Sequence, residues 1–430
     1  MKTSVLYLFA LCVATTAGST PTPTTTSTPT TPTALEFELF AATPAPTTPK
    51  PQVAAPMAPK PLAPAPTPAP TPTPKPMSLL LVGAQTDGSK ASSPGITVYD
   101  ASKSPLQQLF SVSSTLTGNM PTYMALTQDK NYLYVTNEVT AGQIVSFAID
   151  RSGASPTLKR LGAMATNSQG PVHIAVTSNQ RFALVASYTV GSITVLAIDP
   201  ATKVANRIVS QVVFPGAARV VPGRQDSSHA HCVTLSPDNN YAFVTDLGND
   251  KIMQFKFNPT TGALTANSPA FVTVSPGALP RHMAFHPNNQ QLYLVTERSN
   301  QVLRFSYAST SGLLTLAKAV KTTQVAGVLT GAIRITADGR YVLVTNRYGG
   351  STPGDSIAVF DADLKPIGDY VLKAWAGARD FALGANNTVI VGEENTNTFE
   401  TFLLQANGQL VPTKVVQPSL FKPQVLLPLS

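Results

Sequence analysis

Apolar and polar side chains alternate with a period of two through most of this chain, rather than with the 3.6 of a helix. Tyr132-Leu-Tyr-Val-Thr136, Gln143-Ile-Val-Ser-Phe-Ala-Ile-Asp150 and Gly191-Ser-Ile-Thr-Val-Leu-Ala-Ile-Asp199 are short, rich in β-branched and aromatic residues, and read as strands. Turn signals such as Asp338-Gly339 and Asn407-Gly408 punctuate them. The pattern is also repetitive. A strand, a turn built on Asp or Asn, and a second strand of the type Tyr-Val-Val-Thr-Asn recur from Thr122, Val172, His231, Arg281, Gly331 and Arg379, at spacings of 50, 59, 50, 50 and 48 residues. That period suits a four-stranded propeller blade and is too long for a helical hairpin repeat. A further unit is split between the chain ends. Residues 78–85 and 95–99 supply its later strands, and residues 422–427 supply the missing one. The expected fold is therefore all-β, a seven-bladed β-propeller closed by pairing of the N- and C-terminal strands, which removes an exposed sheet edge.

If the first two strands of a blade form an antiparallel hairpin, the start of one and the end of the other lie at the same end. The starts are the six residues above. Sixteen positions later the second strands end at Glu138, Tyr188, Leu247, Glu297 and Arg347; the sixth unit lacks one turn residue, so its equivalent is Glu394, and Gln85 is that of the split unit. Scaffold alone would repeat small or apolar residues there. These two rings instead carry His, Arg, Glu and Tyr in positions that vary from blade to blade, and both face one mouth of the central channel. A concave site with convergent polar groups is a candidate binding site, although water-filled propeller mouths are also commonly polar.

Composition divides the chain into three. Residues 1–18 have Lys2, an apolar run and a small-residue cleavage region, as a secretory signal does. Their apolar core falls short of the roughly 20 residues that span a bilayer, and no other stretch qualifies. Residues 19–76 are nearly all Thr, Pro and Ala and read as a stiff stalk, a candidate for O-glycosylation and for contact with a cell wall or extracellular matrix. Residues 77–430 form the propeller domain, expected to be monomeric. Cys12 leaves with the signal, so Cys232 has no partner for an intrachain disulfide and reads as a small buried hydrophobe. The net charge of +8 comes without Lys/Arg runs or basic–aromatic patches, which argues against nucleic acid as a partner. Asn386-Asn-Thr388 is an N-glycosylation sequon in a strand-to-strand turn. Gly-x-Ser-x-Gly and Gly-x-Gly-x-x-Gly patterns are absent, so neither a hydrolase elbow nor a nucleotide cofactor is indicated.

Several segments at the mouth resemble a known family. His229-Ala230-His231 after Arg224-Gln225-Asp226, then Asp246-Leu-Gly-Asn-Asp-Lys251, is similar to a signature of the seven-bladed propeller lactonases. That family spans 6-phosphogluconolactonases and carboxy-cis,cis-muconate lactonizing enzymes. Residues 280–287 with Tyr293-Leu-Val-Thr-Glu297, residues 187–195, Val344-Thr-Asn-Arg347 and Arg379-Asp-Phe-Ala-Leu383 resemble further signatures, in order, from about Leu79 to the end. The resemblance implies a lactone hydrolase or a cycloisomerase without a cofactor, acting on a small lactone or organic acid. It implies catalytic roles for His231 (or His229), Arg281, Glu297 and Arg347. The chain departs from the family pattern at Ala230, where Pro is usual, and at Glu393-Glu394, where Asn-Gln is usual. An added acid at the mouth would repel an anionic substrate.

Opening a lactone needs a base for water, positive charge for the oxyanion and a proton for the leaving alkoxide. Glu297 is the expected base, or takes a carbon-bound proton in a cycloisomerisation. Arg281 and Arg347 are the expected oxyanion and carboxylate clamp. His231 is expected near its titration point as proton donor. His229, Arg224, Glu138, Tyr188, Arg379 and Glu394 are expected to bind substrate. An alternative for Glu297 is a structural ion pair with Arg281 or Arg347. His229 and His231 could pair on a metal, but no third ligand is near in sequence. His173 and His282 fall one residue past the first ring and are expected on the opposite side of their strands, in structural roles with His286. Trp375 is expected to pack between blades. The competing reading of the whole chain is a non-catalytic binding propeller on its stalk, since Tyr134-Val-Thr-Asn137 and its echoes also resemble the repeats of surface-layer propellers.

Overall fold

The structure is a computed structural model and describes residues 78–86, 94–153, 155–348, 354–373, 375–418 and 421–429. The proposed signal and stalk, residues 1–76, lie outside the described residues. Among the latter, 28 strands, β1 to β28 in chain order, form seven four-stranded antiparallel sheets. The turns explain why the repeat reads as it does. Thr127 Oγ1 donates to Asp129, whose Oδ1 accepts the Asn131 N–H at 3.1 Å, while the Tyr132 N–H donates back to Thr127 Oγ1 at 3.1 Å. The same pattern recurs at Thr177/Asn179, Ser236/Asp238 and Thr336/Asp338. The residue after each acid or amide takes a positive φ: Lys130 57°, Gln180 56°, Asn239 58°, Gly339 73°. Short polar side chains that satisfy the turn backbone locally thus set each hairpin.

The innermost strands are β4 (Tyr123–Leu126), β8 (Pro171–Val176), β12 (Ala230–Leu235), β16 (Pro280–Phe285), β20 (Leu329–Ile335), β24 (Ala378–Leu383) and β28 (Pro423–Leu429). Each touches its two neighbours all the way round, including β24 with β28 and β28 with β4. The split blade is real: β28 pairs antiparallel with β1 (Leu79–Ala84), Leu81 facing Leu427, in the sheet order β28-β1-β2-β3. Seven apolar clusters fill the seven gaps between blades, such as Phe147, Leu133 and Val425 at the closing seam and Phe243, Leu294 and Phe305 between two central blades. Sheet faces become buried only when the ring is complete. That explains how a domain with a single free cysteine, Cys232, can hold itself together.

Two expectations need correction. His173 and His282 do not turn away from the channel. The pairing of β8 with its neighbour shifts register between Pro171 and His173, and that of β16 between Pro280 and His282. Each shift is a one-residue bulge, so two consecutive side chains point the same way and simple alternation fails. Trp375 does not pack between blades; it stands at a positive φ of 58° with half of its surface exposed. His286 is structural, as expected. Its Nε2–H donates to the Gly339 carbonyl at 2.8 Å and its Nδ1 accepts the Asn288 N–H at 3.1 Å, which fixes the tautomer. Asn386 of the sequon is exposed in the turn before β25 (Thr388–Glu393).

Candidate functional site

The bulges build the mouth. The extra residues in β8, β12, β16 and β24 are Val172, His231, Arg281 and Arg379, all members of the first ring. The ends of the second strands bring in Glu138, Tyr188, Glu297 and Arg347. All but Arg281 line a cavity of about 240 Å³ together with Arg224; Arg281 is buried and reaches the site only through its contact with Glu297. Leu329 and Tyr348 complete the wall. Neither was singled out from the sequence. Tyr348 has a positive φ of 65° and its hydroxyl accepts from Arg347 Nη1 at 2.9 Å, under a guanidinium 4.7 Å from its ring.

Glu297 is the hub. Its Oε1 meets Arg224 Nη2 at 2.6 Å, and its Oε2 meets Arg347 Nη2 at 3.4 Å and Arg281 Nε at 3.5 Å. Burial alone would raise this carboxyl; the Arg347, Arg224 and Arg281 charges outweigh burial and hold it below the usual carboxylate range. The ion-pair reading of Glu297 is thus present in this structure, alongside an open cavity. The two contacts to Oε2 are long, so that oxygen is only loosely committed.

The cations outnumber their partners. Burial, together with the charges of Arg347 and Arg379, pulls the Arg281 guanidinium down to about 9. Arg379 is lowered by burial and by Arg347. Apart from the 3.5 Å contact of Arg281, neither its Nε nor that of Arg347 has a hydrogen-bond partner among the described residues. Glu394 stands to one side: its Oε2 lies 3.8 Å from Arg379 Nη1 and accepts from Gln424 Nε2 at 2.9 Å. The expected repulsion from Glu393-Glu394 is therefore blunted. Glu394 is occupied with Arg379, and Glu393 is buried, accepting from the Thr396 and Thr398 hydroxyls.

His231 corrects another expectation. Burial first, then the Arg281, Arg379 and Arg347 charges, push its imidazole well below 6.5, so it is neutral at physiological pH rather than poised to titrate. Its Nδ1 is buried without a partner among the described residues. His229 does not line the cavity. Its ring stacks on Tyr188 at 4.3 Å, and its Nδ1–H donates to the Tyr188 carbonyl at 2.9 Å, so it positions Tyr188. Among the described residues no cluster of three His, Cys, Asp or Glu side chains is arranged to hold a metal.

Beside His231 two further histidines and Tyr123 pack together. The His231 and His282 rings are 5.2 Å apart, His282 and His173 5.6 Å, and His173 stacks on Tyr123 at 3.9 Å. An Arg334–Asp380 ion pair of 2.7 Å lies near enough for the Arg334 charge to act on His173, and Cys232 Sγ sits 3.3 Å from His173 Nε2, its thiol pushed up to about 11 by burial. Cys232 is inert packing, as its sequence context suggested.

The sequence model of the family described as "Lactonase, 7-bladed beta-propeller" matches residues 79–420. A 6-phosphogluconolactonase of Bacillus subtilis is 31% identical over 248 residues, 56% of this chain and 67% of that protein. One of Formosa agariphila is 30% identical over 301 residues, 67% of this chain and 82% of that protein. A putative 6-phosphogluconolactonase from Bacteroides fragilis superposes with a TM-score of 0.74 at 27% identity, over 84% of this chain and 100% of that one. A periplasmic gluconolactonase from Pseudomonas aeruginosa superposes with a TM-score of 0.71 at 28% identity, over 82% and 99%. These names support lactone hydrolysis and lend nothing to the cycloisomerase alternative.

Proposed function

The chain belongs to the seven-bladed β-propeller lactonase family, and from that premise we propose that its funnel hydrolyses a sugar lactone carrying an anionic group. The observation that carries this reading is the convergence of Arg224, Arg281 and Arg347 on a single hub carboxylate, Glu297, at a cavity that Arg379 also lines. Buried guanidiniums with unpaired N–H groups are costly in the free protein and well suited to an incoming anion. The relatives named as 6-phosphogluconolactonases make 6-phosphogluconolactone the reference substrate. A signal in residues 1–18 would place the protein outside the cytoplasm, where a carboxylate in place of the phosphate fits better.

In this mechanism Glu297, ionised at neutral pH, takes a proton from the water that attacks the lactone carbonyl. Arg281 and Arg347 hold the developing oxyanion. His231, as a neutral imidazole, offers a hydrogen bond to the departing ring oxygen rather than a full proton, which then comes from Glu297 or solvent. Arg379, Arg224 and Tyr188 seat the anionic group, and Glu138 accepts from a sugar hydroxyl. A low carboxyl pKa makes Glu297 a weak base in the closed cage; a substrate anion that draws Arg224 away strengthens it.

The test is steady-state turnover of 6-phosphogluconolactone and of neutral glucono-1,5-lactone by wild type and Arg347→Ala. The variant should lose most activity on both lactones, because both form the oxyanion that Arg347 holds. Equal rates for wild type and variant on both lactones would refute the reading.

A further inference from the structure

Glu297 and Arg298 are consecutive, yet they serve different spaces. Glu297 faces the mouth, whereas Arg298 is exposed in an adjoining groove of about 470 Å³, nearly twice the mouth's volume. The two spaces share Arg224 and Leu329, so they adjoin at the rim. One groove wall is Val221, from the loop of residues 214–229; the floor is Leu279; Asn300 and Arg298 form the other side. The walls are pinned. Asp250 accepts the Gly277 and Leu279 N–H groups at 2.6 and 2.9 Å. The loop leans on Gly277, where a Cβ would meet Val220 Cγ1 at 2.9 Å. Gln225 ties the loop to the Leu247 carbonyl at 3.0 Å. Arg298 forms no ion pair among the described residues, and the half-buried Val221 and Leu329 offer the apolar surface on which the C–H face of a sugar ring packs.

We propose that this groove is a second subsite, and that the substrate is a sugar lactone extended by a ring-sized, acidic substituent. This rests on the lactonase reading of the mouth. With the lactone ring over Glu297, the substituent crosses the rim at Leu329, and its carboxylate reaches Arg298 and Arg224. That carboxylate competes with Glu297 for Arg224 and frees Oε1 to act as base. The groove therefore contributes to kcat as well as to KM, because the extended acidic substrate unlocks the base that a neutral single-ring lactone leaves clamped.

The experiment compares kcat and KM for three probes: glucono-1,5-lactone, cellobiono-1,5-lactone, and the latter with a carboxylate at C6 of its second ring. Wild type should prefer the acidic extended probe in both parameters. Arg298→Glu should lower kcat/KM for that probe by about tenfold or more and leave glucono-1,5-lactone unchanged. Val221→Trp, which fills the groove, should lower both extended probes alike. No preference among probes, or equal effects of Arg298→Glu on all three, would overturn the subsite. Calorimetric binding of the open-chain acidic aldobionate separates this from failure of the lactonase reading. If no lactone is opened, weaker binding to Arg298→Glu and Val221→Trp still supports the groove, and unchanged binding refutes it.

Discussion

At the scale of single residues, burial decides what the titratable groups at the mouth can do. Three channel histidines are held neutral: His173 down to about 3, by burial and the Arg334 and Arg281 charges, and His231 and His282 well below 6.5, by burial and then Arg281. The unfolded chain takes up these protons near 6.5 and the folded one refuses them. Their stability contribution is thus fully present above pH 6.5 and is lost as pH falls below it, toward about 3 for His173. Each histidine steepens the decline by about 1.4 kcal/mol per pH unit. Urea unfolding at pH 7, 6 and 5 should show this fall, and His173→Gln should shed one histidine's share of the slope; identical slopes would contradict the assignment. Residue chemistry was partly legible in the sequence. Glu297, Arg281, Arg347 and His231 emerged from ring positions, because antiparallel geometry fixes which ends meet. The protonation state of His231 did not, because it depends first on burial in the closed ring and then on three arginines contributed by other blades.

At the scale of elements, the hairpins were readable because their turns are satisfied by Thr, Asp and Asn a few residues apart, as at Thr127 and Asp129. The bulges were not. Nothing local in Pro280-Arg281-His282 signals that both Arg281 and His282 face inward; the shift appears only when the strand pairs. The 59-residue spacing between Val172 and His231, against 48 to 50 elsewhere, reflects an insertion. It forms the loop of residues 214–229 that carries Arg224 to Glu297. Gln225, fully buried, holds that loop from both ends of its amide, accepting the Val221 N–H at 3.1 Å and donating to the Leu247 carbonyl. Gln225→Ala removes the partner of the part-buried Val221 N–H and leaves the buried Leu247 carbonyl unpaired. It should cost about 1–3 kcal/mol in unfolding free energy and raise KM as Arg224 loses its station. Unchanged stability and KM would show that the loop is held by other contacts.

At the scale of the whole molecule, function follows from closure. β28 pairs with β1, the seventh gap between blades fills with apolar side chains, and residues 159 positions apart, from Glu138 to Glu297, come to share one funnel. The repeat made that closure predictable, including the split blade, while the depth of the funnel and its side groove depend on loop packing that no periodicity encodes. The central claim is that the ring gathers these groups around Glu297 in order to open a lactone. Its most direct test is the turnover number of Glu297→Gln on 6-phosphogluconolactone, corrected for spontaneous hydrolysis and measured on protein shown to be folded. Loss of a general base should lower kcat by about 10²-fold or more. A kcat within about twofold of wild type, against that expected loss, would contradict the account.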